Sequence, residues 1–186
     1  WFASPWDLDA LDMLAAFKVP FIKIASACLT DIELLKAAKN SGIPVILSTG
    51  MSSLQEVAVA VSLLGDSLAY LLHTTSTYPC AMDELNLRCI NTLAEQYPTL
   101  QVGFSSHSTS PWPALCATAM GASMIEAHLT LDRTMYGSDQ AASLEPDAFA
   151  KLVTEIRSFE VAAGDGVKRV YPSEEPIKAK LRRVTA

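Results

Sequence analysis

The sequence predicts an α/β fold whose parallel strands curl into part of a barrel of about six βα units. Three observations predict it. Short apolar runs alternate with longer stretches of helical periodicity, the pattern of parallel strands buried on both faces. The runs begin roughly every 20 to 33 residues, one βα unit each. Each run also ends in a polar residue followed by a loop rich in Ser, Thr, Gly or His. An open sheet gathers its functional groups at one switch point, whereas a barrel turns every strand's C-terminal end toward one mouth. Polar endings on every run therefore favour the barrel, although six units fall short of the eight strands and about 250 residues of a closed one.

In chain order, the first strand is expected at Trp1 to Ser4, ending at Pro5, with a helix over Leu8 to Phe17. Pro20 stops that helix before the strand Phe21 to Ser26. Asp31 is placed to cap a helix reaching Asn40, and Ser41-Gly42 closes it ahead of Pro44. The strand Val45 to Ser48 opens into Thr49-Gly50, and the next helix, Leu54 to Leu64, ends at Gly65-Asp66. Then come the strand Leu68 to His73, a polar loop through Tyr78-Pro79, and a helix over Leu87 to Gln96. Gln101 to Ser105 and Met124 to His128 are the remaining strands, with helices over Pro113 to Met120 and Pro146 to Ala163. No linker, low-complexity stretch or repeat interrupts the beat, so residues 1–186 read as a single partial-barrel domain.

With 186 residues, 50% hydrophobic and 18% charged, the chain has ample apolar material for a packed core, which excludes disorder as the default. Fourteen Lys and Arg against twenty Asp and Glu give a net charge of -6, the wrong sign for a nucleic-acid or anionic-membrane binder. A local cationic cluster for a small anion stays compatible with that sign. No apolar run approaches the roughly 18 residues of a membrane span, and the opening Trp1 to Asp7 has neither a signal-like stretch nor a methionine, so it reads as internal. Cys28, Cys80, Cys89 and Cys116 match neither a metal knuckle nor a disulfide framework and read as reduced core residues of a cytoplasmic protein.

The three histidines, His73, His107 and His128, lie at or just beyond strand ends and are expected to converge over the mouth. Two imidazoles with a nearby carboxylate can hold a divalent ion, and Glu126 and Asp139 are the nearby acids; a lone histidine is more often structural than a ligand. Lys23 sits inside an apolar strand, so it either snorkels outward or faces a polar interior, where it would meet an anion or form a Schiff base. The inward reading is favoured, with a phosphate or carboxylate to offset burial of the ammonium. Ser26, Ser48, Thr49-Gly50 and Ser105 are short donors able to approach phosphate oxygens, although small residues also make ordinary turns. Tyr78 either stacks on a sugar-sized ligand or packs on the adjacent helix, and Asp139 either accepts a hydroxyl or caps its glycine loop.

Five ordered strings, Lys23 to Ser26, Ser48 to Met51, Ser76 to Pro79, Glu126 to Arg133 and Gly137 to Pro146, resemble the sialic acid synthase family, N-acetylneuraminate synthase with its legionaminic and pseudaminic relatives. The resemblance runs from Phe2 to about Arg183. It implies a (β/α)8 TIM barrel that condenses phosphoenolpyruvate with an open-chain N-acetylmannosamine-type sugar, using Mn²⁺ or Mg²⁺ as a Lewis acid and releasing phosphate by C–O cleavage. By the same resemblance His107 and His128 are the metal ligands, and Lys23, Ser26, Ser48, Ser105 and Ser4 hold phosphoenolpyruvate. Ser76, Tyr78 and Asp139 face the amino sugar, and Glu126 is a carboxylate near the metal. Cys28 stands where many members carry a glutamate, so that acid's role near the sugar is unfilled or moved. The resemblance further implies two strands ahead of Trp1, a C-terminal antifreeze-like domain, a homodimer for the full-length protein, and an isolated fragment that is inactive. Other readings are a related phosphoenolpyruvate or pyruvate barrel with a different acceptor, and a non-catalytic phosphate-binding module.

Overall fold

The computed structural model describes residues 1–184. Its centre is a sheet of five parallel strands in sequential order: β1 (Ile22–Ile24), β2 (Val45–Ser48), β3 (Leu68–Thr74), β4 (Gln101–Ser106) and β5 (Ile125–Ala127). Each crossover is a helix: α1 (Leu8–Ala16) precedes β1, and α2 (Ile32–Asn40), α3 (Leu54–Leu64), α4 (Cys89–Gln96) and α5 (Trp112–Ala119) join successive strands. After β5 come α6 (Pro146–Ala163) and a short α7 (Glu175–Leu181) that the sequence pattern did not suggest. Helix starts are fixed by local chemistry. The Asp7 carboxylate accepts from Ala10 N–H at 2.7 Å, Asp31 accepts from Leu34 N–H at 3.0 Å, and Ser53 with Glu56 forms a reciprocal capping box.

Strand alternation divides the molecule into two faces. Ile22, Ile24, Val45, Leu47, Leu71, Val102 and Phe104 point outward into one buried cluster with Leu11 and Leu14 of α1, Leu34 and Leu35 of α2, Val57 and Leu64 of α3, and Ile90 and Leu93 of α4. Fully burying each such side chain contributes about 1.5–3 kcal/mol, so this outer shell supplies the bulk of the stabilisation. A smaller cluster of Ala114, Leu144 and Leu152 seats α6 against α5. The other parity faces the hollow of the curl. Register aligns Lys23 with Ile46 and Tyr70, Ser48 with Leu72 and Gly103, and Thr74 with Ser105 and Glu126. The inner surface thus turns from apolar to polar toward the strands' C-terminal ends.

Several expectations need correction. The strand expected over Trp1 to Ser4 shrinks to an isolated parallel bridge, Ala3 with Ile22, carried by Lys23 N–H donating to Ala3 O at 3.2 Å. Pro5 has no N–H to continue a ladder, and Asp7 already caps α1. The strand over Phe21 to Ser26 shortens because Ser26–Cys28 winds into a 3₁₀ turn. Cys28 and Cys80 are buried, but Cys89 and Cys116 are only partly so; all four are free thiols. Among the described residues no helix is long and apolar enough to cross a membrane.

Gly103 tests the packing of the inner face. A Cβ there would lie 2.5 Å from Leu72 Cδ2 and 2.6 Å from the Met124 carbonyl oxygen, and that backbone cannot yield cheaply. Gly103→Ala is expected to destabilise the protein by roughly 1–3 kcal/mol, read as a fall in thermal midpoint; an unchanged midpoint would show that β4 and β5 part without cost.

Candidate active site

The inward positions of the strand ends open into a cavity of about 490 Å³ at the C-terminal rim of the sheet. Every residue to which the family resemblance gives a role lines it: Ser4, Lys23, Ser26, Ser48, Ser76, Tyr78, Ser105, His107, Glu126, His128 and Asp139; Thr49, expected as a further donor, does not, since its hydroxyl donates to the Leu72 carbonyl oxygen at 3.0 Å. Trp6 and Met51 line it too, and nothing in the sequence reasoning selected them.

Lys23 points inward and is only 7% exposed. Its Nζ lies 3.4 Å from Glu126 Oε2, while the Ser105 hydroxyl donates to Glu126 Oε1 at 2.8 Å. The anion that burial of this ammonium calls for is therefore supplied, at least in part, by the chain itself. The pair is not sealed: the Glu126 side chain keeps one third of its surface toward the mouth.

The two rim histidines meet. Their ring centroids are 5.0 Å apart and nearly perpendicular, and Tyr78 stacks on His107 at 4.0 Å and approaches His128 at 5.7 Å. His107 Nδ1 is 2.7 Å from the Thr75 carbonyl oxygen, a bond in which the ring must donate. That fixes the tautomer and leaves the Nε2 lone pair free in the neutral ring. Burial pushes the His107 pKa down, with His128 adding to the effect against the Thr75 carbonyl and the carboxylates of Glu126 and Asp139. His128 Nδ1 lies 3.4 Å from Asp139 Oδ2. Burial, then Asp139 and Glu126, pushes the Tyr78 hydroxyl up, so it stays protonated near neutral pH. Among the described residues no group of three or more His, Cys, Asp and Glu is arranged to hold a metal, so the two imidazoles are the donors on offer.

Next to Lys23 the cavity wall is made of hydroxyls. Gly50 N–H donates to Ser26 Oγ at 3.0 Å, and a Cβ at Gly50 would collide with Ser76 Oγ and lie 2.9 Å from Ser26 Oγ. Only glycine leaves room for that approach. The hydroxyl oxygens of Ser48, Thr74 and Ser76 are buried with no hydrogen-bond partner. Buried polar atoms are normally paired, so the orphaned hydroxyls of Ser48 and Ser76, which line the same cavity as Lys23, mark a place for an oxygen-rich ligand.

Comparison with known proteins places this geometry. The NeuB family profile matches residues 1–168. The chain is 37% identical over 188 residues to N,N'-diacetyllegionaminic acid synthase of Legionella pneumophila, a match covering 97% of the chain and 52% of that relative. It is 35% identical to human N-acetylneuraminate-9-phosphate synthase, over 96% of the chain and 50% of the relative. The crystal structure of N-acetylneuraminic acid (sialic acid) synthetase from Leptospira borgpetersenii, in complex with citrate, superposes with a TM-score of 0.86 at 40% identity, covering 98% of this chain and 66% of that one. This chain belongs to the NeuB family. It spans about half the length of the curated relatives it matches.

One reading changes on the NeuB scaffold. His73 does not join the other histidines: its Nε2 bonds the Leu85 carbonyl oxygen at 2.9 Å, and the ring is buried on the outer face, where burial pushes its pKa down. Cys28, expected as a core cysteine, does not line the cavity. It is buried in the outer cluster, where burial, with the nearby Asp31 charge, raises its thiol pKa. The chain thus has no carboxylate at this position.

Ser48→Ala removes a buried hydroxyl that has no partner. The thermal midpoint is expected to hold or rise, the gain reaching about 1 kcal/mol, while affinity for an anionic ligand falls. A clear fall in midpoint would show that the hydroxyl is bonded within the protein.

Proposed function

We propose that the protein condenses phosphoenolpyruvate with an open-chain N-acetylmannosamine-type sugar, giving a nine-carbon 2-keto acid sugar and phosphate. The observation that carries this reading is the meeting in one cavity of a buried lysine, two unpaired hydroxyls and two facing imidazoles. The synthase names printed for the relatives agree with it.

Lys23, with Ser26, Ser48 and Ser105, takes the phosphate and carboxylate of phosphoenolpyruvate, and Ser4 stands near the same group. Their role is to hold the enol in one pose, which removes translational freedom before the bond forms, and to keep the departing phosphate's charge compensated. Ser76, Tyr78 and Asp139 receive the sugar: the protonated Tyr78 hydroxyl donates, and Asp139 accepts. C3 of the enol attacks the aldehyde carbon, whose oxygen takes a proton to become a hydroxyl; water adds at C2 with loss of one proton, and the C2–O bond to phosphate breaks as the C2 hydroxyl gives its proton to the departing phosphate and leaves the ketone. Glu126, held by Lys23 and Ser105, is the carboxylate to take the proton of that water.

The site suits a divalent ion in part. His107 is neutral and oriented by Thr75, and its Nε2 faces the same space as His128, so the pair would hold Mn²⁺ or Mg²⁺, with oxygens of water and sugar completing the shell. Such an ion, when bound, supplies Lewis acidity toward the aldehyde oxygen.

Phosphate release by the complete gene product is expected to require both the sugar and Mn²⁺; release independent of sugar would sink the reading. His128→Ala should weaken Mn²⁺ binding, titrated by electron paramagnetic resonance, by about 100-fold or more with the fold intact. Unchanged binding would remove His128 from the ligand set. Lys23→Met is expected to raise KM for phosphoenolpyruvate about tenfold or more while barely moving KM for the sugar, and equal effects on both would place the lysine elsewhere.

A further inference from the structure

A second cavity, of about 390 Å³, opens where β2 turns away from β3, against the first turns of α3 and α4. Val57 and Leu93, both buried, form its apolar wall, and Met51 and Leu54 stand exposed around it. Four threonines line it as well, and three of them have spent their hydroxyl protons on backbone. Thr49 donates to the Leu72 carbonyl oxygen at 3.0 Å, Thr75 to that of Glu84 at 3.0 Å and Thr92 to that of Arg88 at 3.4 Å. Thr74 differs: it is 5% exposed and its hydroxyl has no hydrogen-bond partner. A buried hydroxyl is normally paired, and this residue borders space large enough for a small molecule. An apolar wall with one unspent donor suits an uncharged ligand that brings an apolar body and a single acceptor. An ionised group would need more than one hydroxyl to offset its desolvation.

The walls of this cavity are also the backing of the active site. Thr49 and Met51 flank Gly50, whose N–H donates to Ser26 Oγ at 3.0 Å, and Met51 lines both cavities. Thr74 packs its methyl group on the same turn: a Cβ at Gly50 would lie 3.0 Å from Thr74 Cγ2. Thr75, on the other wall, offers its carbonyl oxygen to His107 Nδ1 at 2.7 Å. Met51 holds φ at 60°, the left-handed region that long side chains rarely adopt, so the turn keeps this shape only while its neighbours impose it. The cavity is open in the same arrangement that places Ser26 and His107. A ligand that fits it binds that arrangement better than one in which the turn has relaxed, and shifts the population toward it.

We infer that this second cavity is a regulatory site for a small uncharged molecule with an apolar body and one carbonyl, which accepts from the Thr74 hydroxyl and, by bracing the turn from Thr49 to Met51, tightens the binding of phosphoenolpyruvate. The coupling rests on the proposal above that Ser26 and Ser48 serve phosphoenolpyruvate; the ligand class of the cavity does not.

The probe is acetophenone, a phenyl ring bearing one carbonyl, and its binding to the complete gene product is read by ligand-observed NMR at up to about 10 mM, the range proper to so small a ligand. Saturating phosphoenolpyruvate is expected to tighten that binding by about fivefold, and acetophenone to tighten phosphoenolpyruvate by the same factor in calorimetry without sugar, since coupling is reciprocal. Thr74→Val keeps the shape and removes the hydroxyl, so it should weaken acetophenone about tenfold while the thermal midpoint holds or rises. Thr92→Trp, at an exposed position, should fill the cavity and abolish binding. Absence of acetophenone binding, or binding that either variant leaves unchanged, overturns the site. Binding through Thr74 that does not move phosphoenolpyruvate affinity overturns the coupling. Synthase turnover by a protein that binds no acetophenone sinks this inference alone. Acetophenone binding through Thr74 in a protein that neither binds phosphoenolpyruvate nor releases phosphate from it sinks the synthase reading and the coupling, and upholds the ligand class.

Discussion

The ion pair of Lys23 and Glu126 spans the hollow of the sheet, and the rest of the site depends on the curl it records. Lys23 lies on β1 and Glu126 on β5, the first and last strands of a five-stranded order. In a flat sheet these edges would stand four strand spacings apart, roughly 19 Å at about 4.8 Å each. Two side chains cannot close that distance to 3.4 Å unless the sheet bends back on itself. The register adds a second constraint: Glu126 aligns with Ser105 and Thr74, two inward positions above the row that holds Lys23. A lysine stem is long enough to climb that step, and the Ser105 hydroxyl holds the carboxylate ready to meet it.

The inner and outer faces obey different rules. Outward positions from Ile22 to Phe104 are aliphatic or aromatic and nearly all fully buried, so the outer shell is packed for stability. Inward positions change character along the strand axis, from Ile46 and Leu72 below to Ser48, Thr74, Ser105 and Glu126 above. The upper level gives up stability: three buried hydroxyls lack partners, each worth about 1–3 kcal/mol of desolvation. Met51 adds backbone strain at the same rim. Concentrating these losses at one end of the hollow leaves the helix-facing core undisturbed.

Much of this was legible in the sequence because periodicity and polar strand ends are local signals. The helices capped by Asp31 and expected from Pro113 fall within a residue or two of expectation, and the ordered motifs from Lys23 to Pro146 pointed to the family that the comparisons show. What failed was parity. His107 shares the inward parity of Gly103 and Ser105, and His128 that of Glu126, whereas His73 is one step out of phase with Leu72 and Thr74. Counting residues from an assigned strand would have turned His73 outward, since a shift of one flips the face. Trp1 to Ser4 failed for another reason: a single neighbouring strand and Pro5 leave too few ladder bonds. Trp6 and Met51 left no signal, because apolar residues read as core and a positive φ at a methionine is written nowhere in composition.

His73 still matters to the site from the outside. Its ring grips the Leu85 carbonyl at 2.9 Å, and the Thr75 hydroxyl donates to the Glu84 carbonyl at 3.0 Å, so the end of β3 is clamped twice against the segment that precedes α4. From that clamped segment the Thr75 carbonyl turns inward and accepts from His107 Nδ1 at 2.7 Å. The backbone of His107 is tied to the same loop, where Cys80 N–H donates to its carbonyl at 3.0 Å. One loop therefore carries Tyr78 onto the face of the His107 ring and fixes which nitrogen of that ring is left for a ligand. The rotation of the His107 ring is set by packing on the helix side of the sheet, through two carbonyls that never see the cavity. A buried histidine outside the cavity is thus one of the fixed points that aim a histidine lining it.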